Sequence, residues 1–300
     1  MKRWIFVLLS AFLIISLFSC GARENEIDSC VDTGRTAVLF SSLAQIWAEA
    51  GGKIDITVGE TIERGFAPEG TLLVDSGAGK TINTELLLSY KPELVICSSD
   101  VPAQVEVAGI LEDAGIKTLT LRVETFSDYL AALKAMTEIT GNVDVYIEKG
   151  EKLKEEIESL LISERVEELR GTRILFIRAG SSASSVKSKT EKDHFAAAML
   201  RDLGCVNIGS ESPLESLELG MESILAADPE FIFFSLMGNE EAARANVENI
   251  LCDKAWSSLT AVKEGRVVIL PKDLFHFKPC SRWYEAYAYL ADILCGGFGN

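Results

Sequence analysis

The chain carries the same sequence pattern twice, 137 residues apart. A short amphipathic segment, a Pro-Glu pair and a buried strand pattern follow one another from Glu85 to Ile96 and again from Glu222 to Phe233. The same offset joins Gly34 to Gly171, and each of these glycines opens an apolar run typical of a strand. Strand patterns that alternate with helical patterns predict βαβ units and parallel sheets. We therefore expect an α/β protein with two Rossmann-like lobes of one plan.

A helical pattern separates the two copies. Apolar residues recur at roughly helical spacing from Asp144 to Leu169, and the opposite face is rich in Glu and Lys. The segment has no proline and no glycine-rich stretch, unlike a flexible linker. The sequence thus predicts an N-terminal lobe over 34–141, a long linking helix over 142–170 and a C-terminal lobe over 171–300, with the ligand cleft between the lobes.

The N-terminal segment predicts export. Lys2 and Arg3 precede an apolar run from Trp4 to Phe18, which is shorter than the roughly 20 residues of a membrane-spanning helix. A signal peptide over 1–19 explains this pattern, and an uncleaved anchor helix is the alternative. Leu17-Phe18-Ser19-Cys20 resembles a bacterial lipobox, which implies a lipid on Cys20 and a polar tether over 20–33. We expect a cell-envelope protein, lipid-anchored to the outer face of the cytoplasmic membrane or in the periplasm.

Charge and residue usage narrow the function classes. Lys and Arg number 29 against 45 Asp and Glu, a formal net charge of −16, so no nucleic-acid partner is expected. The chain has 2 histidines, His194 and His276, which excludes a site of three or four His ligands. The cysteines after Cys20 contain no C-x-x-C pair, and both disulfides and free buried thiols remain open for them: Cys30, Cys97, Cys205, Cys252, Cys280 and Cys295.

Four segments are distinctive when taken together: Asn83–Ile96, Leu225–Pro229, Ala255–Val267 and Phe275–Trp283. On these segments, the chain from about 34 to 296 resembles the helical-backbone class of ABC-importer solute-binding proteins. The resemblance implies a monomer without a resident cofactor that captures a metal chelate (ferric siderophore, haem or corrinoid) and delivers it unchanged to a dimeric membrane permease. In that family one acidic residue per lobe docks on permease arginines, and Glu85 and Glu222 match those positions.

Two alternatives to chelate binding stay open. A related branch of the family binds bare metal ions, which is disfavoured because the first lobe contains no histidine. An envelope enzyme on the same fold is the other alternative. The chain has no G-x-S-x-G elbow and no complete phosphate-binding G-x-x-x-x-G-K-[ST] loop, so we expect no enzymatic activity.

The strand-end loops supply the candidate site, because ligands of open parallel sheets lie outside the carboxyl ends of the strands. These loops combine hydroxyls, cations and aromatic rings, which suit an anionic or planar chelate. The candidate ligand-binding residues are Ser41, Ser42, Arg64, Ser98, Arg178, Ser181, Ser182, Lys187, Lys189, His276, Lys278, Arg282 and Trp283.

The two histidines predict different roles. His276 lies between two phenylalanines and is the candidate metal ligand, axial to haem iron or cobalt, with loop hydrogen bonding as the alternative. His194 precedes a helical pattern and follows Asp193, which we expect to cap that helix. His194 itself is then expected at the rim of the cleft.

Overall fold

A computed structural model of the chain describes residues 34–75, 81–211 and 220–297. The predicted signal peptide, the predicted lipidation site Cys20, the predicted tether and Cys30 lie outside the described residues. Within the described ranges, no helix has the length and apolarity needed to cross a bilayer.

The N-terminal lobe is a five-stranded parallel sheet with helices on both faces. Its strands are β1 (Thr36–Val38), β2 (Ile56–Thr57), β3 (Leu72–Leu73), β4 (Leu94–Ser98) and β5 (Lys117–Leu121). Their spatial order is β3-β2-β1-β4-β5. Central strands β1 and β4 are buried along their whole length, as parallel strands covered on both faces must be. The helices are α1 (Ser41–Glu49), α2 (Gly59–Glu63), α3 (Thr84–Ser89), α4 (Pro102–Asp113) and α5 (Phe126–Thr140).

The linking segment is helical but shorter than predicted. It consists of α6 (Val143–Tyr146), a π-helical turn (Ile147–Glu151), α7 (Lys152–Leu161) and, after a break, α8 (Glu164–Glu167). The expectation of one helix over 142–170 is wrong at its carboxyl end, because the backbone of Ser163 is extended and its hydroxyl donates to the Leu160 carbonyl at 2.6 Å. The apolar spacing persists beyond the break because Val166 and Leu169 still pack into the core.

The C-terminal lobe repeats the plan with one addition. Its strands are β6 (Arg173–Ala179), β7 (Lys187–Ser188), β8 (Val206–Asn207), β9 (Phe231–Leu236) and β10 (Val267–Ile269). The order is β10-β9-β6-β7, and β8 also pairs with β6. β7 is antiparallel to β6, whereas the other pairs are parallel. The helices are α9 (Phe195–Asp202), α10 (Met221–Ala227), α11 (Glu240–Leu251), α12 (Lys254–Ser257), α13 (Thr260–Lys263), α14 (Lys272–Phe275) and α15 (Trp283–Leu294).

The sequence repeat is also a repeat of backbone geometry. Lys91 and Asp228 are 137 residues apart, and both adopt the left-handed conformation, with φ of 51° and 41°. Each directly precedes a proline, a position from which the α conformation is disfavoured. The left-handed turn therefore ends α3 and α10 in the same way before each chain enters its next strand. The predicted two-lobe α/β fold is confirmed.

One hydrophobic cluster joins the lobes. It contains Val38 and Trp47 of the first lobe, Leu153 of α7, and Phe176 and Trp283 of the second lobe. Helix α15 packs along α7. The lobes therefore share a core through the linking helix and α15.

The cysteines in the described part of the chain are free thiols: Cys97, Cys205, Cys252, Cys280 and Cys295. Burial raises the pKa of Cys97 and of Cys205 to about 12, which keeps both protonated. For these five residues, the structure therefore favours the free-thiol alternative over disulfides.

Candidate functional site

The first lobe contributes a compensated polar cluster to the cleft. Ser41, the first residue of α1, donates from Oγ to Glu60 Oε2 at 2.5 Å. Arg64, at the end of α2, donates from Nη1 to Ser41 Oγ at 2.9 Å and to Ser42 Oγ at 3.4 Å. Burial lowers the pKa of Arg64, an effect that the negative charge of Glu60 partly offsets. The predicted residues Ser41, Ser42 and Arg64 therefore come together beside Glu60. Ser41 and Ser42 are only 1% and 2% exposed, so their hydroxyls serve hydrogen bonds within the protein, and the expectation that they contact a ligand is corrected.

Arg64 also contacts the opposite lobe. Its guanidinium carbon lies 3.8 Å from the ring centroid of Phe277 and 4.7 Å from that of Phe66. Phe277 belongs to the loop between α14 and α15, whereas Phe66 follows α2. A guanidinium between two aromatic rings is a favourable cation–π arrangement. Arg64 thus holds the C-terminal loop against the first lobe.

A second contact between the lobes lies further along the same loop. Lys278 Nζ is 2.5 Å from Glu124 Oε2, and the side chains are 17% and 19% exposed. Glu124 directly precedes the capping box of α5, in which Thr125 and Asp128 exchange hydrogen bonds between side chain and backbone. Cys280 Sγ, two residues beyond Lys278, contacts the Ser42 carbonyl at 3.7 Å. Lys278 is therefore neutralised within the protein.

His276 is held by one ring nitrogen. Its Nδ1 lies 3.2 Å from the Leu236 carbonyl at the end of β9, and no other hydrogen bond of the ring occurs within the described chain. Burial lowers the pKa of His276, as do the charges of Lys272 and Arg178, while the Leu236 carbonyl and Glu60 oppose the shift. An imidazole fixed through Nδ1–H keeps its Nε2 lone pair for a ligand. Across 34–75, 81–211 and 220–297, no three His, Cys, Asp or Glu side chains are grouped to hold a metal ion.

The second lobe contributes exposed cations on a hairpin. Arg178 of β6 faces Lys187 of β7 across the antiparallel pair, and both side chains are exposed. Ser181 and Ser182 lie exposed in the connecting turn. Lys189 follows β7 and forms an ion pair with Asp193 at 3.7 Å. The sequence pattern did not indicate β7, because this strand is only two residues long and follows a serine-rich turn.

His194, rather than Asp193, caps α9. His194 Nδ1 accepts from the Ala196 amide at 3.2 Å, while Asp193 accepts from the Thr190 amide at 3.1 Å. The expectation that Asp193 caps α9 is therefore wrong. The His194 imidazole, which packs against the rings of Phe176 and Phe195, occupies the capping position instead. Burial, together with the charges of Lys278, Arg178 and Lys189, lowers the pKa of His194 to about 3.

Three further predicted ligand residues are engaged by other groups of the protein. Trp283 is 1% exposed and packs against Phe126 and Phe195 with ring centroids 5.9 Å away, so the expectation that Trp283 contacts a ligand is corrected. Ser98 is also 1% exposed, and its Oγ accepts from the Asp100 amide at 3.2 Å. The guanidinium of Arg282 is bound by Glu285 and Asp273, which raise its pKa.

Two carboxylates of the site, Glu60 and Glu124, are not predicted from the sequence. Glu60 belongs to a strand-end loop without a distinctive motif, and Glu124 belongs to no motif. Glu124 follows the carboxyl end of β5, and this position relative to the sheet is the signal that would have indicated it.

Comparison with known proteins gives the family. The sequence matches the periplasmic binding protein family over residues 37–274, and the chain belongs to this family. The membership identifies an extracytoplasmic binding protein, as predicted from the sequence. No curated protein matches the sequence significantly.

Several solved structures share the fold of this chain. An ABC transporter substrate-binding protein from Listeria monocytogenes has a TM-score of 0.70 at 16% identity, covering 86% of this chain and 97% of that one. The periplasmic vitamin B12 binding protein of Vibrio cholerae has a TM-score of 0.65 at 20% identity, covering 87% of this chain and 96% of that one. A periplasmic heme binding protein from Pseudomonas aeruginosa has a TM-score of 0.65 at 17% identity, covering 87% of this chain and 92% of that one. At these identities the likeness establishes the fold.

The low pKa of His194 predicts that acid destabilises the fold. The folded-state pKa is about 3 against an ordinary value of 6.5, so the unfolded chain binds more protons between these pH values and stability falls as pH drops through this window. His194→Asn retains a side-chain acceptor for the cap. We expect this variant to show a shallower fall in unfolding free energy, measured by urea titration from pH 7 to about pH 4. A matched His276→Asn variant should change the slope less, and an unaltered slope in His194→Asn would contradict the assignment.

Proposed function

We propose that this periplasmic binding protein captures a metal chelate, either a ferric siderophore, haem or a corrinoid, and delivers it unchanged to an ABC permease. The observation that carries the proposal is the juxtaposition of His276, Phe277 and Arg178 with the Arg64 cluster of the opposite lobe. These groups offer a metal ligand, an aromatic wall and cations in one cleft, the mixture that a planar or amphipathic chelate requires. The structurally similar Vibrio and Pseudomonas proteins, which bind vitamin B12 and heme, support the same ligand class.

Each group has a distinct part in this proposal. His276 Nε2 is the candidate axial ligand, because Nδ1 is already engaged by the Leu236 carbonyl. Phe277 packs on the flat face of the ligand, and Arg178 and Lys187 contact its ionised oxygens. Ser181 and Ser182 add hydroxyl donors at the cleft rim. Transfer without reaction is sufficient for this role, so no catalytic group is assigned.

Absorbance titration of the mature protein tests the ligand class. Hemin, cyanocobalamin and a ferric siderophore are titrated separately, beside Zn²⁺ and Mn²⁺ salts. We expect at least one chelate to bind with a Kd of about 1 μM or below. If hemin binds, His276→Ala should shift the iron absorption bands and weaken binding about tenfold or more. His194→Asn is the control and should leave the bands in place. Tight Zn²⁺ or Mn²⁺ binding with no chelate bound would favour the bare-ion alternative, and conversion of a bound chelate would favour an enzyme.

We also propose that Glu85 and Glu222 dock on the permease. They lie in the first turns of α3 and α10, both are exposed, and neither has a partner among the residues that the structure describes. Both helices end in the same left-handed turn before a proline, so the two carboxylates are presented by equivalent local structures. A dimeric permease offers matching surfaces twice.

Charge reversal tests the docking role. Glu85→Arg combined with Glu222→Arg should leave chelate affinity unchanged but reduce transport and the binding-protein-stimulated ATPase activity of the permease. Single exposed ion pairs contribute only about 0.2–1 kcal/mol, so each single variant should have a small effect. The matched control combines Glu106→Arg with Glu248→Arg on α4 and α11, which carries the same charge change on other exposed helices. Full transport by the docking double variant, or loss of its chelate binding, would contradict the role.

We propose that a lipid on Cys20 anchors the protein to the membrane. The motif Leu17–Cys20 behind a basic start and an apolar run supports this proposal. Cys20→Ala should abolish incorporation of labelled fatty acid and change the membrane-bound fraction, whereas Cys252→Ala should have no effect on either. Fatty-acid labelling that survives in Cys20→Ala would refute the anchor.

A further inference from the structure

The β6–β7 hairpin places two like charges side by side. Arg178 and Lys187 are direct partners in the antiparallel register, and Ile177 and Ser188 form the neighbouring pair. Like charges directly opposite each other destabilise a sheet. The structure therefore keeps a local electrostatic cost at this position.

The two cations lie on the face of the hairpin that also carries Phe176. Side chains on a strand alternate between faces, so Arg178 lies on the same face of β6 as Phe176. Phe176 belongs to the hydrophobic cluster that both lobes share. The Lys189 amide donates to the Phe176 carbonyl at 2.9 Å, which continues the ladder and puts Lys187 and Lys189 on this face as well. The positive charge of Arg178 lowers the pKa values of His194 and His276, although burial contributes more to both shifts.

The cations of the site fall into two groups, those with a carboxylate nearby and those without one. Lys189 forms an ion pair with Asp193, and Lys278 forms one with Glu124. Arg64 is hydrogen-bonded to Ser41, beside the carboxylate of Glu60. Arg178 and Lys187 have no carboxylate partner within the described ranges. The chain has 45 acidic residues against 29 basic ones, so a shortage of carboxylates does not explain this arrangement.

The turn of the hairpin is held in place by several hydrogen bonds. The Ser182 amide donates to Ser185 Oγ at 3.1 Å, and Asn246 of α11 donates to the Gly180 carbonyl at 2.8 Å. A Cβ on Gly180 would lie 2.6 Å from Ser185 Oγ, so the turn closes tightly on a glycine. The two cations are therefore pre-positioned by the fold, which reduces the entropic cost of binding an anion.

We infer that the Arg178–Lys187 pair is an anion subsite and that the cleft prefers chelates carrying two or more ionised oxygen groups. This inference rests on the proposed function and narrows its ligand class. Ionised catecholate or carboxylate oxygens relieve the repulsion between the two cations and accept charge-assisted hydrogen bonds from the guanidinium fork. A chelate with uncharged amide edges leaves the repulsion in place.

A matched pair of iron complexes tests the preference. A ferric tris-catecholate and an uncharged ferric tris-hydroxamate present similar octahedral iron with different charge. Hemin, which carries two carboxylates, and cyanocobalamin, which has uncharged amide edges, form a second pair that differs in charge. Quenching of tryptophan fluorescence gives each Kd at low and at high salt. We expect the anionic member of each bound pair to bind roughly tenfold or more tightly, and its advantage to shrink as salt rises.

Charge reversal at the hairpin supplies the second arm. Arg178→Glu with Lys187→Glu should weaken binding of the anionic chelate roughly tenfold or more and leave the uncharged one within about twofold. The control, Lys117→Glu with Lys134→Glu, makes the same change in net charge on β5 and α5 and should change neither affinity. Lys187→Ala alone should raise the thermal stability of the ligand-free protein, because it removes the repulsion.

The outcomes separate the inference from the proposed function. Equal affinity for the anionic and the uncharged chelate, unchanged by Arg178→Glu with Lys187→Glu, overturns the anion subsite but leaves the proposed chelate capture intact. Failure of every chelate to bind overturns both. A ligand-free Lys187→Ala variant that is less stable than the wild type also counts against the subsite, because it would show that Lys187 stabilises the apo fold.

Discussion

The burial of Trp283 between the lobes is the contact from which the rest of the cleft follows. Its indole packs on Phe126 of the first lobe and on Phe195 of the second, and it is the first residue of the helix that packs along the linking segment. Burial of an aromatic side chain of this size contributes several kcal/mol. With Trp283 fixed there, the preceding loop crosses the first lobe, which brings Phe277 onto Arg64 and Lys278 to Glu124.

The electrostatics of the cleft are asymmetric because the two lobes compensate their cations differently. In the first lobe, Arg64 is hydrogen-bonded to Ser41, which in turn donates to Glu60, so little net charge faces a ligand. In the second lobe, Arg178 and Lys187 stand together without a carboxylate in the part of the chain described. In a partly desolvated cleft such a pair attracts anions more strongly than surface cations in water. The net charge of −16 does not reveal this local field.

The sequence predicted those parts of the structure that depend on local pattern. The repeat predicted two parallel α/β lobes because strand and helix periodicity are set by residue order, and the Pro-Glu pairs marked turns whose geometry does recur. The apolar spacing predicted a linking helix that is too long, because Val166 and Leu169 keep a helical spacing across the extended backbone at Ser163. Trp283 was predicted at the ligand surface because an aromatic residue suits a core and a ligand surface equally well. The His194 cap and the Glu124 ion pair depend on tertiary packing, which no local pattern encodes.

The hairpin is also the point at which the duplicated fold departs from its repeat. In the first lobe α1 begins at Ser41, directly after β1, whereas in the second lobe the chain forms the turn and β7 between β6 and α9. This addition places Lys187 opposite Arg178 at the end of β6, and it leaves the helices that bear Glu85 and Glu222 in their repeated form. The helices of the proposed docking residues are thus repeated in both halves of the chain, whereas the proposed anion subsite depends on a segment that the described part of the first lobe lacks. Under the proposed roles, substitutions in the hairpin change the preferred charge of the chelate and leave both of these helices unaltered.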